Sequence, residues 1–398
     1  MKITERLKDK RVLIWGYGRE GKSTEHFINT HCQVKSLEIF EGKAEEIDEE
    51  KYDYIIKSPG IKVDSYHEKY TSQTELFLEQ FGAQTIGVTG TKGKSTTSSM
   101  LYQVLRACKG ENVCLVGNIG LPCLDYYDEY DDETIIVYEM SCHQLSHVKY
   151  SPHVAVFLNL YEEHLDYYGT LENYFQAKSN ITLHQSPEDY FFYGNNVPEI
   201  PTFAKKTEIS YDAPMSFQMK LVGDHNQFNA TFVYTICTQL YGCTDAGCRR
   251  AIEEFQGLAH RMQYVGKVNG VDYYNDSIST IPQATLQAIK SIPNARTVLI
   301  GGMDRHINYD VLIRFIKEHP EYTYILSYES GKRIYDRVSD QSSCHYVKDL
   351  AESVALAKKI TPQGGACILS PAAASYGYFK NFEERGNKYM ELVGEETI

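Results

Sequence analysis

Short apolar runs alternate with longer segments of helical spacing along the whole chain, and that alternation predicts an α/β fold. The first run lies in RVLIWGYGREGKS, which reads as a buried strand, a glycine-rich turn and a helix beginning near Ser23. A second strand in VKSLEIF ends near Glu38, and a third in YDYIIKSPGI stops on Ser58-Pro59-Gly60. These predict a small domain over residues 1–82. A sharper strand-to-helix transition follows in AQTIGVTGTKGKSTTSSMLYQVLRA, with a loop from Thr89 to Lys94 and a helix from about Ser95. It opens a second domain, 83–258, with further strands in TIIVYEMS and VAVFLNL and helical spacing in TLENYFQAKSNITLH. From HRMQYVGKVNGVDYYNDS onward a third α/β pattern runs over 259–398, with strands at RTVLIGG, YTYILSY and ACILSP.

Composition narrows the class. A chain of 398 residues, 42% hydrophobic, is long enough for two or three cores. A formal charge of -13 argues against a nucleic-acid surface, because lysine and arginine on phosphates supply that affinity. Any nucleotide must then sit in a local pocket. The ten cysteines include no CxxC pair and read as reduced thiols. The N-terminal MKITERLKDK is polar and runs straight into a strand, so it reads as neither signal peptide nor membrane span. The expectation is a cytoplasmic protein without membrane contact.

Gly90, Thr91, Lys92, Gly93, Lys94 and Ser95, between a strand and a helix, offer backbone N–H groups and a helix N-terminus to phosphate oxygens. Lys94 can reach the outer phosphates, and Ser95 or Thr96 can hold magnesium. The general pattern wants a glycine where Val88 stands, so this is a variant loop. Gly16-x-Gly18-x-x-Gly21 has the dinucleotide fingerprint, with Glu38 near the place of the ribose-binding acid. The same glycines also serve tight strand–helix packing.

Glu139 ends TIIVYE, where a nucleotide-binding sheet offers a carboxylate to the metal beside the loop. A buried structural glutamate is the alternative. Glu162, Glu163, His164 and Asp166 crowd one short loop with oxygen and imidazole donors, a set that is either solvated or metal-binding. Lys178 shares a helix face with Leu171 and Tyr174. It reads either as a snorkelling surface lysine or as a buried amine, neutral enough to take up carbon dioxide and become an oxygen ligand.

These motifs together resemble the Mur ligase family, and within it the branch that adds D-glutamate. The resemblance is carried in order by SPGI at 58–61, TGTKGKST at 89–96, GNIG at 117–120 and EMSCHQL at 139–145. It continues through LNLYEEHLDYYG from 158, YFQAKSNI from 174, LVGDHNQFNA from 221 and HR at 260–261. NDSIST from 275, IGGMDR from 300 and LSPAAASYGYFKNFEERG from 369 complete it. It implies a Rossmann-like first domain for a UDP-linked substrate, a central P-loop ATPase domain and a Rossmann-like third domain for the amino acid. It implies ATP and two magnesium ions, with Lys94 on the phosphates, Ser95 and Glu139 on one ion, and His164 with a carbamylated Lys178 on the other. Asn226 and Asn229 are implied near the adenine, Arg261 near the phosphates and Asp276 near the ribose. For the UDP-linked substrate the implied contacts are Gly16, Gly18, Glu38, Ser58, Asn118 and Ser141. For the incoming amino acid they are Thr280, Arg305, Ser375, Tyr376 and Phe382. The implied reaction is ATP-driven amide formation between glutamate and UDP-N-acetylmuramoyl-L-alanine through an acyl phosphate, by a monomer.

The chain departs from that branch where DSKATN is usual, because Ile278 stands at the lysine, and Arg305 replaces a second lysine. A guanidinium can still pair a carboxylate through two hydrogen bonds, so a dicarboxylate remains the expected partner. An L-glutamate-adding ligase and a folylpolyglutamate-synthase-like ligase are the alternatives within ligases. A dehydrogenase using the first glycine loop and a non-catalytic nucleotide-binding homologue are the alternatives outside them.

Overall fold

The computed structural model describes residues 1–63, 66–219, 221, 223–305 and 307–394. The chain forms two compact units, Met1–Phe255 and Gln256–Ile398. In the first unit, β1 (Arg11–Trp15), β2 (Ser36–Phe40), β3 (Tyr54–Lys57) and β4 (Tyr70–Thr71) make a parallel sheet ordered β2-β1-β3-β4. A second parallel sheet has the order β10-β9-β8-β5-β7-β6. Its strands are β5 (Thr85–Thr89), β6 (Val113–Gly117), β7 (Ile135–Glu139), β8 (Val154–Phe157), β9 (Tyr190–Gly194) and β10 (Lys205–Ile209). All four residues of β8 and four of the five in β1 are buried. Covered on both faces, such strands read as unbroken apolar runs rather than alternating ones, which is why the sequence shows them clearly.

Across the residue-82 boundary each sheet keeps a buried cluster of its own on one face and shares a third with the other sheet. Ile14, Phe27 and Phe77 belong to one buried cluster with Tyr138 and Phe157 of the second sheet. The Tyr138 hydroxyl is also 2.9 Å from Thr74 Oγ1. Truncating Phe77 to alanine inside such a cluster costs about 3–5 kcal/mol, so the two sheets stand or fall together.

The second unit holds a sheet ordered β11-β12-β16-β13-β14-β15. Its strands are β11 (Gln263–Val268), β12 (Val271–Asn275), β13 (Ala295–Gly301), β14 (Thr323–Ser327), β15 (Cys344–Val347) and β16 (Ala366–Leu369). The pattern reading located β13, β14 and β16 and missed the rest. β11 and β12 form an antiparallel hairpin turning through Asn269 and Gly270, both at positive φ. An Asn-Gly pair between strands is the local signal for that turn. Among the described residues no helix is long and apolar enough to cross a membrane, and the ten cysteines are all unpaired.

Candidate active site

The second sheet places β5 between β8 and β7, so the carboxyl ends of three parallel strands meet where the glycine-rich loop leaves β5. The loop is held from the β8 side. Asn159, in the loop beyond β8 rather than in the strand itself, accepts from the Lys92 N–H at 2.9 Å and donates to the Lys92 carbonyl at 3.0 Å. Thr91 N–H donates to the Asn159 carbonyl at 2.9 Å. The helix Lys94–Lys109 starts from Gly93 at φ 86, and a side chain there would strike Asn229 Oδ1 at 2.6 Å. Glycine is therefore required twice over, by conformation and by the neighbour. Asn229, buried on the helix Asp224–Leu240, packs against the glycine-rich loop at Gly93, and Asn226 lies buried on the same helix. Ser95 and Thr96 are half-buried in the first helical turn.

Lys178 is only 1% exposed, so the snorkelling reading fails. Leu171, expected on the same face, is 37% exposed, because the helix Leu171–Leu183 begins at the surface and turns inward at Tyr174. Lys178 Nζ donates to the Gly90 carbonyl at 2.9 Å and to Thr89 Oγ1 at 3.3 Å, and it stands over the Tyr174 ring. No carboxylate pairs with it in these contacts. Burial, then the charge of Lys94, pulls its pKa down to about 7. Burial also lowers the pKa of Lys94, whose Nζ donates to the carbonyls of Gly90 at 2.9 Å and Thr91 at 3.0 Å.

A cavity of about 330 Å³ opens on Lys94, Lys178, Asn118, Ser141, Cys142, His143, Gln144, His164, Glu20 and Tyr174. Glu139 is 1% exposed. Its Oε1 accepts from Asn118 Nδ2 at 3.0 Å, while its buried Oε2 has no hydrogen-bond partner. A buried carboxylate oxygen left unpaired is costly, and a cation satisfies it. The orphaned oxygen therefore fits a magnesium ion at Glu139. Lys178, whose pKa burial lowers and which lines the same cavity as His164, fits the carbamate. His164 is exposed at φ 55 in its loop, and Glu163 pairs with Lys92 at 2.7 Å.

The first sheet supplies one wall. Ser58 donates to the Gly16 carbonyl at 2.9 Å, and a Cβ at Gly21 would meet that carbonyl at 2.2 Å. Gly16 and Gly21 are thus demanded by packing, whereas Gly18 faces open space. Glu38 is exposed and accepts from the Tyr52 hydroxyl at 2.7 Å. Ser141 caps the short helix Cys142–Leu145 by accepting from Gln144 N–H. Gln144 in turn donates to Glu20 Oε1 at 2.6 Å. The sequence reading passed over Glu20 and Lys57. Burial raises Glu20 to about 7 and lowers Lys57 to about 8. Lys57 Nζ gathers the carbonyls of Ser58, Pro59 and Ile61, winding the SPGI turn around one ammonium. An acid close after a glycine fingerprint and a lysine ending a strand were the available signals.

In the second unit, Asp276 is 2% exposed and accepts from Ser370 Oγ at 2.8 Å and Met262 N–H at 3.2 Å. Arg261 and Arg305 are exposed, Thr280 is half-buried, Ser375 is buried and Tyr376 is exposed. The Phe382 carbonyl accepts from Ser277 Oγ at 2.7 Å. Arg385, which the sequence reading did not single out, is buried. It donates to Ser277 Oγ, the Ser277 carbonyl and the Ala374 carbonyl at 3.0, 2.8 and 3.3 Å. Its guanidinium ties the turn after β12 to the segments carrying Ser375 and Phe382.

Residues 88–213 match the family described as the Mur ligase middle domain. The UDP-N-acetylmuramoylalanine–D-glutamate ligase of Streptococcus agalactiae serotype III (strain NEM316) is 33% identical, covering 98% of each chain. The enzyme of that name from Aquifex aeolicus (strain VF5) is 30% identical over 96% of this chain and 98% of its own. Among solved structures, MurF ligase from Thermotoga maritima in complex with ADP aligns at TM-score 0.57 and 16% identity, covering 98% of this chain and 95% of that one. UDP-N-acetylmuramate-alanine ligase MurC from Thermotoga maritima aligns at TM-score 0.51 and 18% identity, covering 96% and 98%. At those identities the structures show a shared fold.

Proposed function

The chain belongs to the Mur ligase family, and from that premise we propose that it joins D-glutamate to UDP-N-acetylmuramoyl-L-alanine with ATP, in peptidoglycan precursor synthesis. The observation that carries the reading is one cavity beside the glycine-rich loop lined by Lys94, Lys178 and Asn118, with the half-satisfied Glu139 hydrogen-bonded to Asn118 behind it. Lysine ammoniums that hydrogen-bond only loop carbonyl and hydroxyl oxygens among the described residues suit phosphate oxygens, and a carboxylate with an orphaned oxygen suits the counter-ion that phosphates bring. The central segment 83–258 takes ATP, residues 1–82 the UDP-linked substrate and 259–398 the amino acid.

Ser95 with Glu139, and His164 with a carbamylated Lys178, would hold magnesium, which when bound would supply charge neutralisation on the phosphates. Lys94 places an ammonium beside the transferring phosphoryl group. The substrate carboxylate attacks the γ-phosphorus and ADP leaves. The amine of glutamate then adds to the acyl carbon, phosphate departs and the nitrogen gives up a proton. No bond to the protein forms, so positioning and electrostatics carry the rate. Arg305, Thr280 and Ser375 take the two carboxylates of the amino acid, with Tyr376 and Phe382 beside them. The working unit in this reading is one chain in the cytoplasm.

The test is phosphate release from ATP with UDP-N-acetylmuramoyl-L-alanine against D- and L-glutamate, alanine and lysine. Turnover with D-glutamate is expected. Release with alanine or lysine but with neither glutamate overturns the pocket assignment.

A further inference from the structure

Three side chains with sulfur and nitrogen donors meet beside the glycine-rich loop. Cys142 Sγ and one ring nitrogen each of His143 and His164 lie within 4.8 Å of one another and border the cavity of about 330 Å³. We infer that Cys142, His143 and His164 form a binding site for a soft divalent cation of the zinc class. Thiolate and imidazole favour such ions, whereas magnesium takes oxygen donors, so this donor set differs in chemistry from the magnesium positions of the ligase reading although it shares His164 with one of them.

The hydrogen bonds behind His143 determine which of its nitrogens is available. Ser146 Oγ donates to the Cys142 carbonyl at 2.9 Å, which uses its only proton. Ser146 Oγ is then free only to accept from the Tyr168 hydroxyl, 3.0 Å away. With its proton directed to Ser146, Tyr168 accepts from His143 Nδ1–H, 3.1 Å away. A neutral His143 then carries its lone pair on Nε2. Orientation of a ligating histidine through its other nitrogen is the usual outer support of a metal site. Tyr168 also lies stacked on the ring, with centroids 5.5 Å apart and planes at 12°.

His164 closes the set from the opposite loop. It is exposed, and its ring nitrogens take no hydrogen bond among the described residues. A tetrahedral zinc with bonds near 2.0–2.3 Å needs its ligand atoms about 3.5 Å apart, so the trio closes with a small movement of the exposed ring. The fourth position is left to water. Zinc and magnesium compete for His164 in this arrangement. Binding of the metal alone nevertheless does not depend on the ligase reading, and the two fail separately.

The test titrates zinc, and cobalt as its coloured substitute, into the full reduced chain without nucleotide. The expected result is one ion per chain and, for cobalt, a thiolate-to-metal charge-transfer band. Cys142→Ser should abolish the band. His143→Phe, which keeps the ring packing, should weaken zinc roughly tenfold or more, and Tyr168→Phe by about 10- to 100-fold through loss of the orienting bond. Binding unchanged in both Cys142→Ser and His143→Phe overturns the inference. So does binding lost instead on replacing Cys108, Cys237 or Cys243, free thiols that neighbour one another elsewhere in the first unit, or no binding by the parent chain.

Discussion

Asn159 grips Lys92 from both sides of one amide, accepting from its N–H at 2.9 Å and donating to its carbonyl at 3.0 Å. The glycine-rich loop thus takes its shape from a residue 67 positions away in sequence. Asn159→Ala leaves a partly buried N–H and carbonyl unpaired, a cost of about 1–3 kcal/mol. ATP should bind roughly tenfold more weakly, since 1.4 kcal/mol is one decade. Titration of the nucleotide into the variant checks this, and unchanged affinity would show the brace to be dispensable.

Lys94→Ala should lower turnover by roughly 10²-fold or more, the scale of one lost contact to a developing oxyanion. The fold should survive, because the ammonium bonds only carbonyls of its own loop, Gly90 and Thr91. Steady-state kinetics with a thermal melt separates the two effects. Normal turnover would remove the phosphate-loop assignment.

Lys178→Ala should abolish ligation while short carboxylic acids added to the assay partly restore it, because they return oxygen donors to the space the amine vacates. The buried Lys178 lies over Tyr174 with Nζ 4.8 Å from the ring centre, so the vacated space is enclosed. Rescue that saturates with acid concentration is the expected signature. Failure of every acid in a variant that melts normally speaks for an amine that never becomes a carbamate.

Asp276 predicts a pH effect on the second unit. Burial raises its pKa from 3.8 to about 6. The folded state therefore binds the proton more tightly than the unfolded state. Its contribution is fully present below about pH 4 and is lost as pH rises through about 6. The ionised form costs on the order of 3 kcal/mol at higher pH. Asp276→Asn should flatten the change in amide-exchange protection of β12 and β16 across that window. A slope as steep as in the parent would assign the effect to another group.

The sequence by itself determined the parts whose cause is local. The places of Lys94, Ser95 and Glu139 in the fold were legible because a glycine-rich strand-to-helix turn and the end of a buried strand are written in neighbouring residues, and the buried parallel strands stood out as unbroken apolar runs. The Asn269-Gly270 hairpin was equally local and was simply overlooked. Tertiary structure alone decided the rest. Helical spacing places Lys178 and Tyr174 on one face but cannot say that this face lies against the end of β5, and it is that packing, by desolvation, that draws the Lys178 pKa down to about 7. The orphaned oxygen of Glu139 depends on which groups surround it, and the tautomer of His143 on its hydrogen-bond chain through Tyr168 and Ser146. Charge state and tautomer answer to neighbours brought from distant segments of the chain, and periodicity carries no record of those neighbours.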